Sequence, residues 1–150
     1  MKVALDTNIL AYAEGVNGAD RKLAALALVS QLPAASVVLP VQTLGELYQV
    51  LVRKAGRSPT EARAAILSWR NSFALADTTP ETLLTAADLA VHHRFSLWDA
   101  VILSAAAQAQ CRILLSEDMQ NGFLWQGVTI VNPFTPTQHP LLKAALETGQ

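Results

Sequence analysis

The sequence predicts an α/β fold, a parallel or mostly parallel sheet flanked by helices in three layers. Two observations carry this. Five short runs, residues 3–5, 36–39, 73–76, 112–115 and 128–131, are almost wholly apolar, as strands buried on both faces are. Between them stand sequences with helix-start signals, so strands and helices alternate along the chain.

In chain order, the run 3–5 ends abruptly in Asp6-Thr7-Asn8, and Asp20 is placed to cap a helix that ends near Pro33. After the strand 36–39 a helix is expected over about residues 41–54. Ser58-Pro59-Thr60-Glu61 combines an N-cap, a proline at the first helical position and a capping-box glutamate, opening a helix to about Trp69. Thr79-Pro80-Glu81 opens the next, with Leu83, Leu84, Ala87, Ala90 and Val91 on one stripe. A long apolar helix is expected over 97–110, before the last two strands. From Pro133 onward, Pro136 and Pro140 read as a loosely packed extension, so the chain divides into a domain at 1–134 and a tail at 135–150.

At 150 residues the chain is long enough for one domain with a full core. Hydrophobic residues make up 51% and charged ones 15%, which excludes disorder and points to apolar surface covered by another subunit. The longest charge-free stretch, 23–45, is interrupted by Pro33 and Pro40 and does not read as a membrane span. Lys2, the apolar run after it and Ala11-Tyr12-Ala13 mimic a signal peptide, but Asp6, Thr7 and Asn8 inside the run argue against export. One cysteine, Cys111, cannot form an internal disulfide and fits a reducing cytoplasm. Eleven Lys plus Arg against twelve Asp plus Glu exclude a general nucleic-acid coat, so any nucleic-acid contact is local.

Three polar residues at a strand end gather more oxygen than a turn needs. In such folds ligands collect beyond the carboxyl ends of the strands. Asp6 follows the first strand, Glu46 lies near the start of the next helix, Asp99 near the start of the long apolar helix, and Asp118 just after the strand 112–115. Each has a structural reading as well. Thr43-Leu44-Gly45-Glu46 and Ser96-Leu97-Trp98-Asp99 match capping boxes, while Asp6 is placed to cap the helix after it and Asp118 a short turn. His92 and His93 read as partners of a helix dipole, Met119 and Trp98 as packing residues.

The ordered set "DTN", "ELYQVL", "DAVILSAA" and "LLSED" resembles the PIN domain family, in particular the ribonuclease toxins of bacterial toxin–antitoxin pairs. The resemblance covers about residues 1–134. It implies Asp6, Glu46, Asp99 and Asp118 as the catalytic site, with Asp6, Asp99 and Asp118 holding metal and Thr7, Asn8 and Ser116 supporting them. Many relatives carry a further acidic residue two positions after the last Asp, where this chain has Gln120. Glu117 adds a carboxylate instead, at a position expected to point elsewhere.

Carboxylates about 5 Å apart repel by roughly 3 kcal/mol per pair at an effective dielectric near 20, which raises some of their pKa values. A divalent cation removes the conflict, and all-oxygen ligands select Mg²⁺ or Mn²⁺. The resemblance therefore implies a metal-dependent endoribonuclease acting on RNA through an activated water. Arg53, Lys54 and Arg94 are candidates to hold flanking phosphates, and equally read as helix-surface charge. A homodimer and a small antitoxin are the expected partners, with no membrane.

Rival readings remain open. They are a housekeeping RNA-processing nuclease of the same family, a non-catalytic protein-binding module, and an aspartyl-phosphate enzyme. The last wants a second Asp where Asn8 stands, and a lysine that "LLSED" does not offer.

Overall fold

The computed structural model describes residues 1–147. Strands β1 (Val3–Leu5), β2 (Val37–Pro40), β3 (Ala74–Ala76), β4 (Ile113–Leu115), β5 (Leu124–Trp125) and β6 (Val128–Val131) form one sheet in the order β3-β2-β1-β4-β6-β5. All neighbours run parallel except β5, which pairs antiparallel with β6. β1 is central, with β2 and β3 on one side and β4 on the other, so the strand order reverses between β1 and β4. That reversal opens a crevice at the strands' carboxyl ends.

Helices cover both faces, and the two-residue period of the strands sorts their side chains between them. Val3, Leu5, Val37, Leu39, Ile113, Leu115 and Val131 face one way. They pack against α1 (Thr7–Ala13), α2 (Ala19–Gln31), α3 (Val41–Arg53), α4 (Pro59–Ser72) and α7 (Pro140–Glu147). Ala4, Val38, Leu114 and Ile130 face the other way, against α5 (Pro80–His93) and α6 (Leu97–Gln108). This is the three-layer arrangement expected from the sequence.

Most helix starts follow their signals. Ser58 and Glu61 form the full capping box, and Thr79 pairs with Thr82 in another. Four expectations change. Gly18, not Asp20, caps α2, and Asp20 sits in its first turn. The stripe on α5 faces outward except at Ala90, which packs against the core. Leu84 and Val91 are 68% and 78% exposed, and the buried face is Thr82, Ala86 and Leu89. The sheet and α6 present small residues here, including Ala4, Ala76, Ala100 and Ala105, so close helix approach selects small side chains rather than leucines. Trp98 is 52% exposed and joins neither core, contrary to the packing reading.

The tail is the fourth. Residues expected to pack loosely include α7, whose Leu142 and Ala145 are buried in the larger core. Pro140 starts this helix rather than breaking it, since a first-turn proline lacks only an N–H that would be unpaired anyway. Among the described residues no helix is long and apolar enough to cross a membrane. Cys111 is buried, and burial pushes its thiol up to about 11, so it is an inert packing residue.

Candidate active site

The crevice between β1 and β4 is where the singled-out acidic residues meet. Asp6 leaves the end of β1 and is 4% exposed. It does cap α1, accepting the Thr7 N–H on Oδ1 at 2.7 Å. Its other oxygen is committed elsewhere: Oδ2 accepts from Ser116 Oγ at 2.7 Å and Asn8 Nδ2 at 3.2 Å. Ser116 Oγ also receives the backbone N–H groups of Asp118 and Met119, at 3.2 Å each. The hydroxyl thereby ties the end of β4 to the end of β1. Asn8 Nδ2 reaches Asp118 Oδ2 at 3.2 Å as well, so one amide bridges two carboxylates.

Glu46 does not complete a capping box. Thr43 Oγ1 turns back to the Pro40 carbonyl at 2.7 Å. One helical turn further on, Glu46 Oε1 accepts from Thr7 Oγ1 at 2.8 Å and Oε2 from Gln42 Nε2 at 3.1 Å. Asp99 lies in the first turn of α6, where Ser96 caps its backbone N–H at 3.2 Å.

Electrostatics join all four groups. Burial pushes the Asp6 carboxyl up to about 7, against the hydrogen bonds from Ser116 and Thr7, and the charges of Asp99 and Glu46 push it further. Asp99 is raised by burial first, then by Glu46 and Asp118. Among the described residues no cation pairs with any member of this quartet, whereas Glu14 and Glu117 each have an arginine. Exposure rises from buried Asp6 through half-buried Glu46 and Asp99 to exposed Asp118, so the cluster opens to solvent on one side.

The donor chemistry, four oxygen-only side chains none of which is in an ion pair among the described residues, fits a hard divalent cation. Among the described residues no three acidic, histidine or cysteine side chains already stand in a metal-holding cluster. Asp6 and Glu46 instead spend their oxygens on Ser116, Asn8, Thr7 and Gln42.

Beside the cluster lies a cleft of about 500 Å³, lined by Thr7, Asn8, Glu46, Asp118, Val50 and Lys54 among others. Of the three candidate phosphate contacts, Lys54 lines it. Arg53 ends α3, and Arg94 caps α5 in the left-handed conformation, φ 59°; neither lines the cleft. Glu117 points away, as its neighbour position suggested, to Tyr12 and Arg21. Gln42, Tyr12 and Arg21 were not legible as site neighbours. Only Gln42 had a signal, its spacing of four from Glu46 on one helix face.

A family model for the PIN domain matches residues 3–120. The chain belongs to the PIN domain family. Solved structures agree in fold. A crystal structure of Mycobacterium tuberculosis VapC20, described as a sarcin-ricin loop cleaving toxin, matches with TM-score 0.66 at 20% identity, covering 78% of this chain and 90% of that one. A toxin–antitoxin complex from Klebsiella pneumoniae matches with TM-score 0.65 at 19% identity, covering 89% and 98%. VapBC2 of Rickettsia felis, bound to a DNA fragment from its promoter, matches with TM-score 0.57 at 16% identity, covering 79% and 89%. No curated protein matched the chain.

Proposed function

We propose that this PIN-domain chain is a metal-dependent endoribonuclease hydrolysing RNA phosphodiester bonds, with Asp6, Glu46, Asp99 and Asp118 as its catalytic carboxylates. The observation that carries the reading is the electrostatically joined quartet with no ion-pair partner among the described residues, centred on a buried Asp6 whose carboxyl is pushed up to about 7. Burying carboxylates together is costly unless a positive ligand repays it, and such sites favour function over packing.

Asp6, Asp99 and Asp118 would hold Mg²⁺ or Mn²⁺. When bound, the ion supplies charge neutralisation at the phosphate and acidification of a water nucleophile. Ser116 and Asn8 hold Asp6 and Asp118 at a fixed spacing, and Thr7 and Gln42 aim Glu46. Lys54, which lines the adjoining cleft, would hold a neighbouring phosphate.

The solved relatives support a toxin of a toxin–antitoxin pair; a cytoplasmic site of action is part of the proposal and rests on the lone, reduced Cys111. The outward Leu84 and Val91 and exposed Trp98 supply apolar surface for a homodimer or a small antitoxin to cover. Purified protein incubated with single-stranded RNA should cleave in Mn²⁺ and stop in chelator, and Asp99→Asn should be inactive. Equal cleavage by wild type and Asp99→Asn would overturn the catalytic assignment. Expression alone should slow growth, and co-expression with the neighbouring small gene should restore it. No growth defect and no co-purifying small protein would replace the toxin reading with a housekeeping nuclease.

A further inference from the structure

Asn8 bridges the carboxylates that come after the two central strands, and its orientation is set from outside the quartet. While Nδ2 serves Asp6 and Asp118, Oδ1 accepts the Glu117 backbone N–H at 3.3 Å, which fixes the way the amide faces. The Glu117 side chain is held on the far side. Tyr12 donates its hydroxyl to Oε1 at 2.7 Å, and the Arg21 guanidinium pairs with Oε2. Arg21 in turn lies over the rings of Tyr12 and Phe134, 5.0 and 5.9 Å from their centroids. A cation on α2 is thus connected to the turn that carries Ser116 and Asp118.

An exposed arginine–glutamate pair ordinarily contributes about 0–1 kcal/mol and affects little else. This one differs in two respects. Arg21 is stacked on two aromatic rings, one of them beyond the residues the family model matches. And Glu117 sits between the residue that bonds Asp6 and the residue that shares Asn8 with it.

We propose that Arg21, acting through Glu117, is a positioning residue that holds the turn 116–118 against Asn8 and so sets the spacing between Asp6 and Asp118. The inference rests on the reading of the quartet as a divalent-metal nuclease site. It makes a prediction opposite in sign to simple charge. Removing a cation beside an acidic site, and leaving Glu117 unpaired there, should by charge alone tighten cation binding. Loss of positioning weakens it, by about tenfold for an outer residue that orients ligands.

The experiment titrates Mn²⁺ against melting temperature, without RNA, for wild type, Arg21→Ala, Glu117→Gln and the double variant. Arg21→Ala should raise the Mn²⁺ midpoint about tenfold. The double variant should be no worse than Glu117→Gln alone, because the two act in series. In cleavage assays kcat should fall while KM for RNA holds. An unchanged or lower Mn²⁺ midpoint in Arg21→Ala, additive effects in the double variant, or a change confined to KM would each overturn the proposal. A wild type that Mn²⁺ does not stabilise at all would take the nuclease reading down with it.

Discussion

Asp6 and Glu14 cap opposite ends of helix α1, and their surroundings differ in the opposite sense from what the helix dipole would require. A negative charge is favoured at a helix N-terminus and disfavoured at the C-terminus, by about 0.3–1 kcal/mol in either case. Yet it is Glu14, at the unfavourable end, that is fully engaged. Arg57 Nη1 donates to Oε1 at 2.7 Å, Trp69 Nε1 to Oε2 at 2.9 Å, and Arg57 Nη2 to the Glu14 carbonyl at 2.7 Å. Asp6, at the favourable end, is more deeply buried and faces other carboxylates with no cation among the described residues. A carboxylate used to hold a fold together is given its positive partner by the chain. We read one left without such a partner, in company, as set up for a ligand.

The comparison breaks most visibly in catalysis. Asp6→Asn and Asp99→Asn should each lower RNA cleavage by on the order of 100-fold or more while the protein stays folded, since an amide neither carries charge nor ligates a hard cation well. Circular dichroism alongside a cleavage assay checks both halves. Full activity in either variant would reduce Asp6 to an N-cap and Asp99 to a helix-start residue.

The second effect is on stability. In the folded chain Asp6 keeps its proton to about pH 7, whereas an unfolded aspartate releases it near 3.9. Between these values the folded state binds more protons, so metal-free stability falls as pH rises from about 4 to 7 and then levels. Asp6→Asn removes that fall. In chelator its melting temperature should exceed wild type at pH 8, and the advantage should vanish as the pH is lowered toward 4. The variant should also lose most of the Mn²⁺ stabilisation, about 2.7 kcal/mol at a hundredfold excess over Kd. Parallel pH slopes for the two proteins would mean that Asp6 titrates as an ordinary carboxylate.

How much of this was legible depends on distance along the chain. Asp6, Glu46, Asp99 and Asp118 stood out because each interrupts apolar sequence at a strand end or helix start, and strand alternation alone sorts Val3 and Leu5 from Ala4. The Ser58 box was readable because its partner is three residues away. Glu117 and Arg21 are 96 residues apart, and nothing local announces the pairing. The α5 stripe was misleading because apolar spacing tells which residues share a face, not which face the sheet admits. Strand β5 escaped because two residues, one of them the exposed Leu124, carry no period.

At the other end of α1, Arg57→Ala should lower stability by about 2 kcal/mol, because it strips one charge-assisted bond from the partly buried Glu14 carboxylate and another from the Glu14 backbone carbonyl, leaving the carboxylate with Trp69 and no cation. For a chain of this size that is a drop of roughly 4–8 °C in melting temperature. Neither cleavage nor the Mn²⁺ shift should change. If cleavage fell with stability restored by lower assay temperature, the two ends of the helix would be coupled and the contrast between them lost.

The smallest effect is the most direct comparison, the same isosteric change at both ends of one helix. Glu14→Gln keeps the shape and leaves an oxygen for either Arg57 or Trp69, but the amide nitrogen then faces the other donor. Losing the charge weakens the Arg57 contact, a cost of about 1–2 kcal/mol on the scale of charged hydrogen bonds. Relief of a negative charge at the helix C-terminus offsets part of it, up to about 1 kcal/mol. The net change should be a loss of a few tenths to about 1 kcal/mol, read as a slightly lower melting temperature in chelator at pH 8. Asp6→Asn, measured in the same buffer, should move the other way. If both variants rise, α1 merely carries excess negative charge; if both fall, Asp6 is a structural cap like Glu14, and the site loses its central carboxylate.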